Sequence, residues 1–220
     1  MLTNQFVLIC CAALLILGNA ACASRTEGEL TKSEQSELVH AIRYNDNETA
    51  AELLKRFSHP NTWDTGENSL IRNAVKAGNP DMVSELVARK ENVNDMGDLQ
   101  FSPLMDAVIF LEGHSNPALR KFSDWTTWHD STGVVRRKRY SRIINILLDA
   151  GASPNIQDAK WRITPLHAAA QACDLETIRL LLDHNANTAL RDYNNQTPFD
   201  LCSACPDTNI RRLLRPVSLK

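Results

Sequence analysis

Glycine and proline are scarce in this 220-residue chain. Eight glycines and nine prolines are too few for a collagen-like or low-complexity polymer. An excess of charge is also lacking: 24 basic against 26 acidic side chains leave a formal net charge of -2. No field of one sign then runs along the surface to attract nucleic acid. The longest apolar run, Phe6 to Leu17, falls short of the roughly 20 residues that cross a bilayer. Neither G-x-G-x-x-G nor a P-loop occurs, no serine sits in G-x-S-x-G, and no residues assemble a nucleophile, a base and an orienter. Beyond residue 33 there is no strand-like alternation. What remains is an ordinary globular balance, 43% apolar and 23% charged, with enough length for one continuous core.

The first 24 residues differ from the rest. The run FVLICCAALLIL is uncharged, a small-residue stretch Gly18 to Ser24 follows, and the first charge is Arg25. This fits the apolar region of a secretory signal, residues 1–23, although MLTNQ supplies no Lys or Arg ahead of it. Two processing sites compete. Ala21-Cys22-Ala23 fits cleavage after Ala23, while Asn19-Ala20-Ala21-Cys22 resembles a bacterial lipobox with Cys22 as the lipidated residue and Asn19 as a poor match. A lipid there would anchor an otherwise soluble domain at a membrane surface.

Past Cys22, three cysteines remain: Cys173, Cys202 and Cys205. In an oxidising compartment they suggest one disulfide and one odd thiol. Cys202-x-x-Cys205 alone admits a redox motif or half a zinc site. No second C-x-x-C or H-x-x-x-H completes a metal site, and no βαβ pattern surrounds the pair. No cofactor is implied.

Short helical patterns come in pairs. The clearest starts at Thr164, TPLHAAAQACDLETIRLLLDHNANTALRDYNNQ, and the pattern restarts 33 residues later at Thr197. Thr164 is suited to cap a helix and Pro165 to be its first residue. Leu166, Ala169 and Ala170 give a short helix that a neighbour can approach closely. Asp174 can cap a second helix, whose Ile178, Leu181 and Leu182 form an apolar stripe. Asn185 suits a left-handed cap, and Asp192 to Gln196 reads as a turn.

Thr164-Pro165-Leu166-His167-Ala168-Ala169 resembles the TPLHxA signature of the ankyrin repeat. Gly151-Ala152-Ser153-Pro154-Asn155 is similar to that family's GADVN segment, and Ser102-Pro103-Leu104-Met105-Asp106-Ala107 is a second, weaker TPLHxA. Ala74, Gly78, Met82, Val83 and Leu86 fall in phase, and Leu38 to Leu54 reads as a polar first unit. The resemblance implies an all-α solenoid over residues 35–216 with five units, about 35–58, 61–94, 95–155, 156–189 and 190–216. Three departures stand out. Asn45, Cys173 and Pro206 sit where the family has glycine. The turn from Asp158 to Thr164 is one residue longer than the family pattern. In the third unit an insertion, residues 112–140, separates a first helix ending near Leu111 from a second resuming near Arg142.

On this repeat scheme Cys173 and Cys205 lie near the ends of the first helices of adjacent units, where loops converge, so they are the expected disulfide. Cys202 and Cys205 are three apart on one helix, a poor geometry for a bridge. His167 is expected to bond the turn of its own unit rather than to act as a base. Arg136, Arg137 and Arg139, in the run RRKR, open a helix against its dipole. They admit three readings: a solvated face, a dock for an acidic protein patch, or lipid headgroups. Trp125 and Trp128 either cover their own unit or anchor a partner. Trp161, Arg162 and Tyr193 occupy turn tips, which in ankyrin stacks project beside the concave face.

The resemblance implies a non-enzymatic module that binds a protein, because such stacks offer an extended concave surface. With the signal, it places the chain in the periplasm of a Gram-negative bacterium. The preferred reading is an immunity protein that occludes one secreted effector, such as a phospholipase delivered by type VI secretion. The alternatives are a periplasmic ankyrin protein in oxidative-stress defence, or a thiol-redox protein using Cys202 and Cys205.

Overall fold

A computed structural model describes residues 30–56, 68–96, 101–112 and 133–215. All the elements of regular structure among them are helical. They run in pairs: α1 Lys32–Arg43 and α2 Asn47–Arg56, α3 Leu70–Lys76 and α4 Pro80–Ala88, α5 Pro103–Glu112 and α6 Gly133–Asp149, α7 Pro165–Gln171 and α8 Leu175–Asp183. The last pair is α9 Pro198–Leu201, extended by a 3-10 turn Cys202–Ala204, and α10 Thr208–Leu214. Each first helix packs on the first helix of the next unit, from α1 through α3, α5 and α7 to α9.

Local sequence dictates where these helices start. Thr31 and Glu34 form a reciprocal cap: Glu34 N–H donates to Thr31 Oγ1 at 3.2 Å, and Thr31 N–H to Glu34 Oε2 at 2.9 Å. Asn79 and Asp174 cap α4 and α8 through their side chains, and Pro80, Pro165 and Pro198 take the first helical turn, where no N–H is needed. Between paired helices the chain reverses through left-handed residues: Asn45 at φ 60°, Gly78 at 62° and Cys173 at 57°. A second set ends the outer helices, with Lys90 at 64°, Gly151 at 87° and Asn185 at 65°. The left-handed cap expected at Asn185 is therefore present.

A single apolar cluster runs the length of the stack, from Leu30 through Leu70, Leu104, Ile143, Leu166 and Ile178 to Leu214. Short α7 is buried along nearly its whole length, and its alanines bring neighbouring helices close.

The third unit departs from its sequence reading. Its outer helix begins at Gly133, not near Arg142, and runs 17 residues. The early turns are helical because Tyr140 has somewhere to go. Its ring is 7% exposed and stacks on Phe110 with centroids 5.8 Å apart. Its hydroxyl donates to the Lys76 carbonyl at 3.2 Å. A Cβ on Gly78 would lie 3.2 Å from that hydroxyl, so glycine serves there both for backbone conformation and for room. Residues 113–132, with Trp125 and Trp128, lie outside the described residues, as do residues 1–29 with Cys22.

Candidate functional site

The turns that open the fourth and fifth units are built on buried carboxylates. Asp158 Oδ1 accepts from the N–H groups of Lys160 at 3.0 Å and Trp161 at 2.7 Å, and Oδ2 from Ile163 N–H at 2.8 Å. Its own N–H donates to the Ile163 carbonyl at 3.1 Å. Asp192 closes the next turn in the same way, with its N–H on the Gln196 carbonyl at 2.9 Å and its Oδ1 accepting from Gln196 N–H at 2.8 Å. The first turn closes over five residues and the second over four, so the extra residue read from the sequence is there. Left-handed Arg162 at φ 54° and Asn195 at 63° complete the reversals.

The two turns are fastened to each other. Gln157 Nε2 donates to the carbonyls of Arg162 at 2.7 Å and Arg191 at 2.8 Å. Tyr193 N–H donates to the Trp161 carbonyl at 2.9 Å. Trp161 and Tyr193, named separately from the sequence, thus meet on one edge. Tyr193 is 71% exposed, Trp161 is half-buried, and Lys160 Nζ lies 5.1 Å from the Trp161 ring centroid. Charge is sorted across this edge. Asp158 and Asp192 are buried at 3% and 7%, whereas Lys160, Arg162 and Arg191 are all exposed. The carboxylates hold the turns, and the cations and aromatics face outward.

His167 underlies this edge. Its Nδ1 faces Thr164, 3.2 Å from the N–H and 2.8 Å from Oγ1, and its Nε2 lies 3.1 Å from the Gln196 carbonyl. A neutral ring protonated at Nε2 satisfies every contact, accepting at Nδ1 and donating at Nε2. Burial pushes its pKa down, only partly opposed by the Gln196 carbonyl. It therefore bonds its own unit and also the turn of the next one.

The basic run on α6 is partly spent within the fold. Arg137 Nη1 lies 3.1 Å from Asp174 Oδ2, and Arg142 Nη2 lies 2.9 Å from Asp81 Oδ1. These pairs tie α6 to its two flanking units. Arg136 is half-buried, while Lys138 and Arg139 are exposed. Leu111, Val134, Arg136, Arg137 and Lys138 help line an open groove of about 620 Å³ at the helix start.

The buried ion pair of the second and third units was missed from the sequence. Arg72, fully buried, donates from Nε to Asp106 Oδ2 at 2.9 Å, with Nη2 2.8 Å from the same oxygen. Nη1 donates to the Met96 carbonyl at 3.3 Å. Burial pushes the Asp106 carboxyl up against the pull of Arg72 and Lys76. Arg72 stands at the helix position of His167 and, like it, bonds a carbonyl in the turn of the following unit. That shared position was the available signal.

Cys173 and Cys205 are joined by a disulfide, with Cα atoms 5.5 Å apart. Cys202 is a buried free thiol whose Sγ donates to the Phe199 carbonyl at 3.1 Å, and burial pushes its pKa up. Cys202 and Cys205 do not form a pair, and a buried protonated thiol is a poor nucleophile. Among the described residues no group of His, Cys, Asp and Glu is placed to hold a metal ion.

Paired helices, in-phase left-handed reversals and carboxylate-closed turns have a counterpart in known proteins. Residues 134–217 match a family model described as ankyrin repeats (3 copies). The fold is an ankyrin-repeat solenoid. An E3 ubiquitin-protein ligase, KEG, of Arabidopsis thaliana is 39% identical over 67 residues, 30% of this chain and 4% of that protein. Human ankyrin repeat and SOCS box protein 11 is 36% identical over 77 residues, 34% of this chain and 23% of that protein. Mouse protein phosphatase 1 regulatory subunit 12A is 32% identical over 134 residues, 60% of this chain and 12% of that protein. The chain thus spans less than a quarter of each of these relatives. Ankyrin repeats are protein-binding modules, and no catalytic family is indicated.

Proposed function

We propose that this chain is an exported ankyrin module that binds one dedicated protein partner through the turn edge of its fourth and fifth units. The observation that carries the reading is the sorting of charge on that edge. Lys160, Arg162 and Arg191 face outward beside Trp161 and Tyr193, and the only carboxylates of the two turns point inward. Aromatic and arginine side chains supply most of the binding energy at protein interfaces. A fixed cationic edge steers an acidic partner toward itself. The insertion, residues 112–140 with Trp125 and Trp128, and the exposed Arg139 are proposed as a second contact with the same partner.

The charge-free N-terminal segment supports export to the periplasm, with processing after Ala23 or lipidation at Cys22, and a disulfide between Cys173 and Cys205 fits an oxidising compartment. A single dedicated partner there suits an immunity protein that occludes a toxic effector delivered by a rival cell. The test is protection. The product of the gene adjacent to this chain's own is directed to the periplasm with the parent or with Lys160→Glu/Arg162→Glu/Tyr193→Ala. The parent should restore growth and the variant should not. Equal protection by both, or an adjacent gene whose product is harmless, would remove this reading. The oxidative-stress alternative would show as peroxide sensitivity of a deletion strain without any effector.

A further inference from the structure

The helices of the fifth unit are short. Its first helix, α9, has four residues, against seven in α3 and α7. Pro206 stands where Gly78 and Cys173 take a positive φ, and proline's ring holds φ near about -65°. The tight reversal of the other units therefore cannot form, and Cys205 before it is extended, φ -68° and ψ 130°. The outer helix α10 buries only Ile210 and Leu214.

Besides the main chain, one covalent bond spans the junction of the fourth and fifth units. Cys173 occupies a left-handed position that elsewhere takes glycine or asparagine, an unfavourable place for cysteine. From there its sulfur reaches Cys205 in the loop of the next unit. The loop so closed contains the turn Asp192–Gln196, with Arg191, Tyr193 and the Gln196 carbonyl that His167 bonds. The odd thiol, Cys202, is fully buried in the 3-10 turn after α9, where it donates to the Phe199 carbonyl.

We propose that the Cys173–Cys205 disulfide is a redox latch that docks the fifth unit on the stack and so completes the turn edge only under oxidising conditions. A dithiol reductant supplies two electrons and two protons. The S–S bond breaks, Cys173 and Cys205 become thiols, and the reductant closes to its own cyclic disulfide. Oxidation runs the same balance in reverse.

The test is hydrogen exchange on the full chain, oxidised and after dithiothreitol, read by mass spectrometry. Reduction should raise exchange roughly a hundredfold across 192–214, from the loop entropy the bridge removes, and leave 70–88 unchanged. No change, or an equal change throughout, would overturn the latch. So would non-reducing peptide mapping that finds Cys202 in the bridge. Cys202→Ala should keep the oxidised pattern, since its thiol is outside the latch. The consequence for binding rests on the turn-edge reading above, and the outcomes separate. Accelerated exchange with undiminished partner binding keeps the latch and removes that edge. Unchanged exchange removes the latch whatever the binding.

Discussion

Removing one member of the Arg72–Asp106 pair separates burial from mere charge pairing. Asp106→Ala leaves a fully buried guanidinium with the Met96 carbonyl as its remaining hydrogen-bond acceptor. Stripping one partner from a buried pair costs about 3 to 5 kcal/mol, chiefly because the surviving charge stays out of water. At about 2 to 4 °C per kcal/mol for a domain of this size, the midpoint should fall by roughly 12 °C. Arg142→Ala removes a pair of the same chemistry at the surface, with side chains 59% and 68% exposed. That change should cost less than about 1 kcal/mol. The double change Arg72→Met with Asp106→Leu fills the space with apolar groups and should return to within about 1 to 2 kcal/mol of the parent. Urea unfolding followed by circular dichroism reads all three at constant pH and under oxidising conditions. Equal losses for Asp106→Ala and Arg142→Ala would refute the reasoning. So would a double variant as unstable as the single one, which would mean that shape rather than desolvation decides.

Other outcomes follow from the same contacts. His167 has a folded pKa below its unfolded value, so it contributes stability above about pH 6.5 that is lost as pH falls through the folded value. His167→Gln should cost about 2 kcal/mol at pH 7 and show a flatter loss between pH 7 and 5 than the parent, in urea titrations at each pH. Gly78→Ala meets both a positive φ and the Tyr140 hydroxyl, and should lower stability by about 2 kcal/mol in the same assay. Trp125→Ala with Trp128→Ala should melt near the parent and lose about 2 kcal/mol or more of partner binding in calorimetry. A large fall in stability with intact binding would assign both rings to packing.

The repeat was legible because its signals are local. Thr164 with His167, Asp174 at a cap, and Asn185 in a left-handed position each declare themselves within a few residues. The same repeat scheme places Cys173 beside Cys205, and the structure joins them. The start of α6 was not legible, because GVVRRKRY carries no apolar stripe. Its order comes from Tyr140 reaching the Lys76 carbonyl in another unit, 64 residues away. Arg72 and Asp106 look like solvent-facing charges until the stacking brings side chains 34 residues apart together. For Arg137 the sequence leaves a solvated face or a dock open for a similar reason: nothing local reveals that Asp174, already a helix cap, also receives its guanidinium. On the turn edge the sequence showed the aromatics but not the inward carboxylates that leave the outer face cationic.

Calorimetric titration of the partner into oxidised protein tests the central claim most directly, comparing the parent with Lys160→Glu/Arg162→Glu/Tyr193→Ala. All three side chains are exposed or at a turn tip, so the variant should melt within a few degrees of the parent. Its affinity should fall at least a hundredfold, about 2.7 kcal/mol. An unchanged affinity with an unchanged melting temperature would show that the partner is bound elsewhere.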